Sequence, residues 1–261
     1  MKPTQKSKAN KRTSAGSGNQ KAPAQPQPPL LVFGAHPDDI EFGCGGVIAS
    51  ESQRGRTAHF VVCSYGEAGS YGTPKQRISE AQRAAEILGA TIEFLELDGD
   101  AHLEIRAAHA VKLADIIRRL RPEIVLTPSC AENQHPDHWR LGKLVRDAGR
   151  LARYGGLKEL RDLPAHAIRH LFYYAVTPEA EPKEITPVLI DISAPEAVSA
   201  WTAAMQAHES QVSARKYIEL QLARARLLGM RAGVEHAMAL FPNEPLLFDS
   251  LGQTSRGARH F

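Results

Sequence analysis

Two short motifs contain the residue types that could bind a metal ion. The first, His-Pro-Asp-Asp at residues 36–39, follows an apolar run, and the second, His-Pro-Asp-His at residues 135–138, comes much later in the chain. Zinc and similar divalent ions favour imidazole nitrogen and carboxylate oxygen, and a catalytic site uses three protein ligands and keeps one position for water. We therefore predict a divalent metal centre with His36, Asp39 and His138 as its ligands.

The other polar residues of the two motifs suit the steps of an amide hydrolysis. Asp38 lies beside the predicted ligands and could take the proton of a water that the metal activates for attack on a carbonyl. His135 could stabilise the oxyanion or protonate a leaving amine, and Asp137 could orient one of the imidazoles of its own motif. These residues predict a hydrolase with Asp38 as its general base.

Each motif also has a purely structural interpretation. A single histidine at a strand end is more often structural than a ligand, and the two aspartates after Pro37 could cap a helix or a turn. Residues 135–138 could likewise form a turn and a helix N-cap. The metal hypothesis accounts for all of these titratable residues in one site, whereas the structural interpretation needs a separate reason for each.

Short apolar runs alternate with helix-length segments, and this alternation predicts the elements that position the motifs. It indicates an α/β fold with a doubly wound, mostly parallel, Rossmann-like sheet and helices on both faces. In strand order 3-2-1-4, the residues that follow strands 1 and 4 share one crevice, so the two motifs would face each other. The predicted strands are 31–35, 58–64, 91–97 and 123–127, and the predicted helices are 45–54, 76–88 and 109–120.

The pattern is weaker beyond Arg140. We expect Leu220, Leu227 and Leu228 to face the core, because their spacing gives the last helix one apolar face. The expected elements are a helix through about Tyr154, strands at 170–174 and 188–191, and helices at 195–208 and 213–228.

Composition and charge bound the class of protein. A chain of 261 residues with 43% hydrophobic content can bury a sizeable core. Residues 1–29 carry six Lys or Arg side chains and no acid, so the formal charge of +3 becomes −3 for the rest of the chain. This tail, rich in Lys, Ser, Gly and Pro, is expected to be disordered. It lacks aromatic residues that would stack on bases, so nucleic acid is not an expected partner.

The sequence carries no pattern of export or membrane insertion. It has neither a secretory signal nor an apolar run of membrane-spanning length, and its three cysteines show no Cys-x-x-Cys spacing. We therefore expect a reduced, cytoplasmic protein without a membrane span. Cys44 and Cys130 lie near the motifs in sequence, but buried, inert cysteines are commoner than metal ligands. The oligomeric state is open, a homo-oligomer included.

Glycines after Phe42 suggest a competing class of protein, because a strand, a Gly-rich turn and a helix also describe a dinucleotide site. The fingerprint requires glycine at position 48, which is Ile48 here, so we assign Gly45 and Gly46 to close approach of a helix to its neighbours. The rival hypothesis is a non-enzymatic Rossmann-like module that binds nucleotide or nucleic acid.

Together the motifs resemble those of the PIG-L, or LmbE-like, zinc-dependent de-N-acetylases. That family's first motif reads Ala-His-Pro-Asp-Asp-Glu; here Ile40 takes the last position and Glu41 follows it. Residues 77–89 look like the family's helix after strand 2. The resemblance covers roughly residues 30–247 and implies a deacetylase domain at 30–250 with a short tail at 251–261.

The resemblance implies zinc as the cofactor, with another divalent ion such as Fe²⁺ as an alternative, and the same ligands and base as above. It implies removal of acetyl from the N-acetylglucosamine moiety of a small-molecule conjugate, with Arg77, Asp98 and Asn133 as substrate-binding residues. Arg77 could instead be a surface cation of its helix. Residues 66–77 and 209–211 look most like deacetylases that act on N-acetylglucosaminyl-malate in bacillithiol synthesis.

One departure from the family concerns the C-terminal part of the chain. The family often has Gly-x-x-Tyr-Ala-Glu there, whereas residues 233–238 read Gly-Val-Glu-His-Ala-Met. The missing Tyr and Glu leave the group attached to the sugar open, while the predicted hydrolytic centre is unaffected.

Overall fold

A computed structural model of the protein describes residues 27–132, 135–213 and 216–254. The predictions for Asn133, for residues 1–26 of the N-terminal tail and for residues 255–261 therefore lie outside the described residues, and the proposed domain limits stay a prediction. The strands are β1 Leu30–Gly34, β2 Ala58–Val62, β3 Ala90–Phe94, β4 Ile124–Pro128, β5 His170–Tyr174, β6 Val188–Asp191 and β7 Ala237–Pro242. The helices are α1 Asp39–Gln53, α2 Pro74–Ile87, α3 Ala107–Leu120, α4 Pro136–Ala152, α5 Pro195–Gln206, α6 Glu209–Val212 and α7 Tyr217–Ala232.

The strands form one sheet in the order β3-β2-β1-β4-β5-β7-β6. Strands β1 to β5 pair in parallel, which confirms the predicted order 3-2-1-4, and β7 is antiparallel to both β5 and β6. Strand β7 was not predicted, because its Ala- and Met-containing run has few of the β-branched residues that favour strands. Pairing with β5 and β6 makes it a strand.

Strand β1 is buried on both faces, as is typical of a central parallel strand. Leu31 and Phe33 join one core cluster with residues of α3 and α4, whereas Leu30 and Val32 join a second cluster with residues of α1, α2 and α5. The prediction of a mostly parallel sheet with helices on both faces is confirmed. None of the helices that the structure describes is both long and apolar enough to cross a membrane.

Helix α1 begins at Asp39, earlier than the predicted start at Gly45, so the first motif occupies the turn that opens the helix. Glycines are tolerated inside α1 because neighbours pack where side chains would be. A Cβ on Gly43 would lie 2.2 Å from Cδ2 of Tyr174, and one on Gly45 would lie 2.7 Å from Cδ1 of Trp201. The predicted close approach is present, and tertiary packing outweighs the low helix propensity of glycine.

The expected apolar face of the last helix is wrong in part. Leu228 is buried, but Leu220 and Leu227 are 42% and 60% exposed. The buried face of α7 consists mostly of small and polar residues, among them Gln221, Ala225 and Gly229, and a Cβ on Gly229 would lie 2.5 Å from the Glu235 carbonyl oxygen.

Candidate metal centre

The two predicted motifs meet beyond the carboxyl ends of β1 and β4. Residues 36–39 connect β1 to α1, and residues 135–138 form the start of α4, which follows β4. The connections that follow these two adjacent parallel strands lead to opposite sides of the sheet, and a crevice opens where they diverge. The structure thus brings together the titratable side chains of both motifs.

Three side chains converge to the distances expected around a small cation. His138 Nε2 lies 3.0 Å from Asp39 Oδ1 and 3.3 Å from His36 Nδ1, and His36 Nδ1 lies 3.4 Å from Asp39 Oδ2. Donors bound at about 2.0–2.1 Å in a tetrahedral zinc site lie ~3.3 Å from one another. The two Asp39 distances involve different oxygens, Oδ1 toward His138 and Oδ2 toward His36, so the three predicted ligands are neighbours in the crevice.

A second arrangement of donors overlaps the first. The ligand atoms of His36, His135 and His138 also lie within 4.8 Å of one another, as do those of His36, Asp100, His135 and Asp137. Asp39 belongs to neither of these two groups, and the ligand set of His36, Asp39 and His138 stays a prediction.

Asp39 is held rigidly by the backbone that it follows. Its Oδ2 accepts hydrogen bonds of 2.9 Å from the backbone N–H groups of Ala35 and His36. Burial by itself would raise the pKa of Asp39, but His138 and His36 hold it well below its ordinary value. The carboxylate of Asp39 is therefore anionic, and its orientation is fixed by these hydrogen bonds.

His36 is oriented by carboxylates on its other ring nitrogen. Its Nε2 lies 3.1 Å from Asp100 Oδ1 and 3.2 Å from Asp137 Oδ2. Burial would lower the pKa of His36, but Asp39, Asp100 and Asp137 raise it well above its ordinary value. Carboxylates that accept from the outer nitrogen of a metal-binding histidine fix its tautomer and orientation.

Asp137 contacts His36 more closely than His135. Besides its 3.2 Å contact with His36, its Oδ2 accepts a 2.7 Å hydrogen bond from Ala101 N–H and lies 4.0 Å from His135 Nδ1. Asp137 occupies the first turn of α4, which aims it across the crevice toward the end of β1. The role of Asp137 in supporting His135 stays a prediction, and the shorter contact is with His36.

Asp38 lies beside these donors on a strained backbone. Its φ of 119° is a left-handed conformation that only glycine adopts without cost. Burial raises the pKa of Asp38 to about 6, against the lowering effect of Arg77. A carboxyl with a pKa near neutrality suits a general base, because it is ionised and still basic enough to accept a proton.

His135 borders the crevice and caps α4. Its Nδ1 accepts a 3.3 Å hydrogen bond from Asp137 N–H, so the proton of the neutral ring lies on Nε2. Burial, together with His36 and His138, lowers the pKa of His135. The neutral ring, with Nε2–H as a hydrogen-bond donor, is therefore favoured over the imidazolium of the sequence-based hypothesis.

Arg77 is buried, which excludes its interpretation as a surface cation. Its guanidinium donates to the carbonyls of Pro37 and Gly66 at 2.9 and 3.0 Å, and it lies 3.4 Å from Asp38 Oδ2. A Cβ on Gly66 would lie 2.2 Å from Nη1 of Arg77, so glycine is needed there. Helix α2 therefore presents a cation directly to the predicted base.

Asp98 was predicted to bind substrate, but of Asp98 and Asp100 it is Asp100 that lines the cavity. Asp98 faces away from the crevice, where Arg106 donates to its Oδ1 at 3.0 Å and Glu104 N–H to its Oδ2. Asp100 is the carboxylate at the site, through its contact with His36 and a 3.2 Å hydrogen bond from Ala68 N–H. Both lie in one Asp-Gly-Asp turn, so only the turn's conformation decides which side chain points inward.

A cavity of about 390 Å³ opens over these residues. This volume falls within the range of about 300–1,000 Å³ that is common for small-molecule sites. Helices α6 and α7 and the loop after β2 complete its walls, with Gly69, Val176, Gln211, Tyr217 and Gln221 among the lining residues.

The cysteines take no part in this cluster of described residues. Cys44 is fully buried in the core, and burial raises the pKa of its thiol well above the ordinary value, so it is inert. Cys130 is a free thiol outside the cavity lining, and the same effect of burial raises its pKa.

Fold and site together define an α/β protein whose buried His/Asp cluster could bind a metal ion. Residues 31–149 match the protein-family model described as "PIG-L: GlcNAc-PI de-N-acetylase". A PIG-L family domain is therefore present in the chain, as the motifs predicted.

Three comparisons locate the chain among its relatives. A conserved protein from Thermus thermophilus is similar in structure with a TM-score of 0.75 and 32% identity, over 87% of this chain and 99% of that one. The 4-oxalmesaconate hydratase of Pseudomonas putida is 34% identical over 145 residues, which are 51% of this chain and 56% of the hydratase. The diacetylchitobiose deacetylase of Thermococcus kodakarensis is 29% identical over 70% of this chain and 69% of its own. The chain thus spans about half the length of the hydratase, and the family contains both deacetylases and a hydratase.

Proposed function

We propose that this protein is a zinc-dependent deacetylase, an amidohydrolase that removes the acetyl group from the N-acetylglucosamine moiety of a small conjugate. The observation that carries the proposal is that His36, Asp39 and His138 converge at the floor of a small-molecule cavity. Asp38, a carboxylate outside the predicted ligand set, lies next to them. Membership of a family that contains deacetylases supports the same reaction.

The donor set fits a divalent ion. Two imidazole nitrogens and one carboxylate oxygen are ligands that zinc accepts in catalytic sites, and His138 Nε2 lies 3.0 Å from Asp39 Oδ1 and 3.3 Å from His36 Nδ1. Such an ion would lower the pKa of a water and polarise the acetyl carbonyl. The same donors also suit Fe²⁺.

The chain's own residues would move the protons. Asp38 would accept the proton of the attacking water, since its raised pKa lets it hold that proton until the amine leaves. His135 would donate a hydrogen bond from Nε2–H to the oxygen that becomes negative. Arg77 would keep Asp38 in place and would compensate its charge.

The cavity offers polar groups that suit a hydroxyl-rich substrate. Asp38, Asp39 and Asp100 line it, and Arg77 is its only Lys or Arg among the described lining residues. Gln211 and Gln221 add amide groups that can bind hydroxyls. An amino sugar fits this lining, and the naming of diacetylchitobiose in one relative agrees with it. The resemblance to enzymes of bacillithiol synthesis stays a prediction.

A hydratase is the second candidate, because the hydratase of Pseudomonas putida is 34% identical over the segment that contains the site. As that relative's name indicates, its substrate is a carboxylic acid. A bound divalent ion and Arg77 would balance the charges of Asp38, Asp39 and Asp100, so the preference for deacetylation rests on the relatives named as deacetylases.

The test is acetate release from N-acetylglucosamine conjugates by the zinc-loaded protein. We expect wild-type turnover and a loss of about 10²–10⁴-fold in Asp38→Asn, the usual contribution of a general base. The control Asp162→Asn, at a side chain that is 94% exposed, should match wild type. Water addition to an unsaturated dicarboxylate without acetate release would establish the hydratase. Absence of bound metal together with tight nucleotide binding would favour the non-enzymatic rival.

A further inference from the structure

Four arginines surround a second cavity at the opposite end of the sheet. Arg146, Arg150 and Arg153 lie on the C-terminal half of α4 or directly after it, and Arg169 directly precedes β5. They line a cavity of about 250 Å³ together with residues that follow β7. Helix α4 runs from the metal centre to the amino ends of the parallel strands, so this arginine cavity is separate from the catalytic one.

The guanidiniums of the arginine cavity lack close hydrogen-bonding partners within the described part of the chain. The nearest carboxylate, Asp147, lies 3.6 Å from Arg146 and 3.5 Å from Arg150, and Glu123 lies 3.6 Å from Arg169. Charge-assisted hydrogen bonds are shorter, about 2.7–2.9 Å. Arg146 Nε is moreover buried without any acceptor. A buried donor without a partner costs free energy, and a ligand that satisfies it recovers that cost.

A buried arginine elsewhere in the fold shows the contrast. Arg118 donates to four backbone carbonyls at 2.6–2.9 Å, so its guanidinium is fully used to hold the loop after α4. Within the described residues, the arginines of the cavity make no comparable hydrogen bonds to backbone carbonyls. Basic side chains near a helix C-terminus interact favourably with the helix dipole. This interaction accounts for the arginines at the last turn of α4, but not for Arg146 or Arg169.

The remaining lining of the arginine cavity is mainly apolar. Ile168, Phe172 and Leu246 form walls, and Glu244 is the one carboxylate among the described lining residues. Gly149 lies between the arginines, where a Cβ would approach Ile168 Cδ1 to 3.1 Å. An occupant would therefore have a compact anionic group for the guanidiniums and a less polar body for the walls.

We propose that the arginine cavity binds a small phosphate monoester. Arginine forks match phosphate oxygens bidentately, and a phosphate monoester offers three oxygens and nearly two negative charges to several guanidiniums at once. A carboxylate has only two oxygens and one charge. At about 250 Å³ this partly open cavity is slightly smaller than the common small-molecule range, which suits a compact ligand better than a nucleic acid backbone.

Isothermal titration of the full-length protein with AMP tests this proposal, with adenosine as the probe that lacks the phosphate. We expect one saturable AMP site, no comparable binding of adenosine, and affinity for AMP at least about tenfold weaker in the double variant Arg146→Gln/Arg150→Gln, since each lost charged hydrogen bond is worth about a factor of ten. The matched control is Arg161→Gln, whose side chain is 80% exposed and lies outside the cavity. Urea unfolding verifies that both variants fold.

Three results would overturn the proposal. Wild-type protein without saturable AMP binding would show that the cavity takes no phosphate monoester. Equal AMP affinity in wild type and the double variant would place the bound AMP elsewhere, including at the metal centre. Binding of a single-stranded oligonucleotide without binding of AMP would assign the arginines to a macromolecular partner.

Discussion

Glu80 accepts both the backbone N–H and the hydroxyl of Ser210, at 3.0 and 2.6 Å, across the gap between α2 and α6. Gln211, the next residue, lines the catalytic cavity and donates a 2.9 Å hydrogen bond to the carbonyl of Tyr71 in the loop after β2. Glu80 is almost fully buried. One buried carboxylate thus fixes the positions of two walls of the cavity.

Glu80→Gln should loosen this connection. The amide leaves one of the two Ser210 donors unsatisfied, and we expect a loss of about 1–3 kcal/mol in the free energy of unfolding, with a rise in KM for the conjugate that exceeds any fall in kcat. Urea denaturation and steady-state kinetics measure the two effects. Glu209→Gln, at a side chain that is 69% exposed, is the control. Equal behaviour of the two variants would contradict the role of Glu80.

Metal content should distinguish the two donor arrangements. We expect His138→Ala and Asp39→Asn to lose bound zinc on dialysis, because each removes one of three converging ligands, whereas His135→Ala should retain zinc and lose turnover. Elemental analysis of purified variants gives the answer. Loss of zinc from His135→Ala with retention in Asp39→Asn would favour the set of three histidines.

The buried pair of His208 and Glu41 should make stability depend on pH. Their nearest atoms, Nε2 and Oε2, are 3.3 Å apart, and both side chains are almost inaccessible. Burial would lower the pKa of His208, but Glu41 raises it above the ordinary value of 6.5. A raised folded-state pKa means that the pair stabilises the protein fully below the unfolded-state pKa and that this contribution disappears as pH rises through the folded-state pKa.

His208→Gln should therefore lose more stability at about pH 6 than at about pH 9, values on either side of the histidine range. Urea denaturation at both values, at constant zinc, measures the difference between variant and wild type. The exposed His102 provides the control, since His102→Gln should keep the wild-type dependence. A constant difference at the two pH values would mean that the pKa of His208 is the same in the folded and unfolded states, and a larger loss at about pH 9 would mean that His208 stays neutral in the folded state.

Gly43→Ala should destabilise the fold by about 1–3 kcal/mol, the usual cost of overpacking. The new methyl would overlap the ring of Tyr174, which cannot move easily because its hydroxyl donates a 2.7 Å hydrogen bond to the Phe33 carbonyl. Gly155→Ala, where the Cβ would meet nothing within 4 Å, is the control. Urea denaturation compares them, and a change below about 0.5 kcal/mol in Gly43→Ala would show that α1 shifts without cost.

The sequence by itself determined the elements that depend on local pattern and on parallel-sheet topology. Alternating periodicity specified the order of the first four strands, and that order necessarily brought His36 and His138 to one crevice. The types of side chain in the two motifs then specified the kind of ion that the centre could hold. These features can be predicted because they depend on the spacing of residues along the chain and on a general rule. In parallel sheets of this kind, a crevice forms where the connections from two adjacent strands diverge.

Tertiary structure alone decided which side chains of a turn or helix face inward. Asp100 rather than Asp98 reaches His36 because of the conformation of one turn, and Asp137 contacts His36 because α4 aims it across the crevice. Strand β7 exists because β5 and β6 offer it partners, and Leu227 is exposed because α7 packs through the face that contains Gln221, Ala225 and Leu228. Such choices depend on contacts between residues far apart in sequence, which no local pattern records.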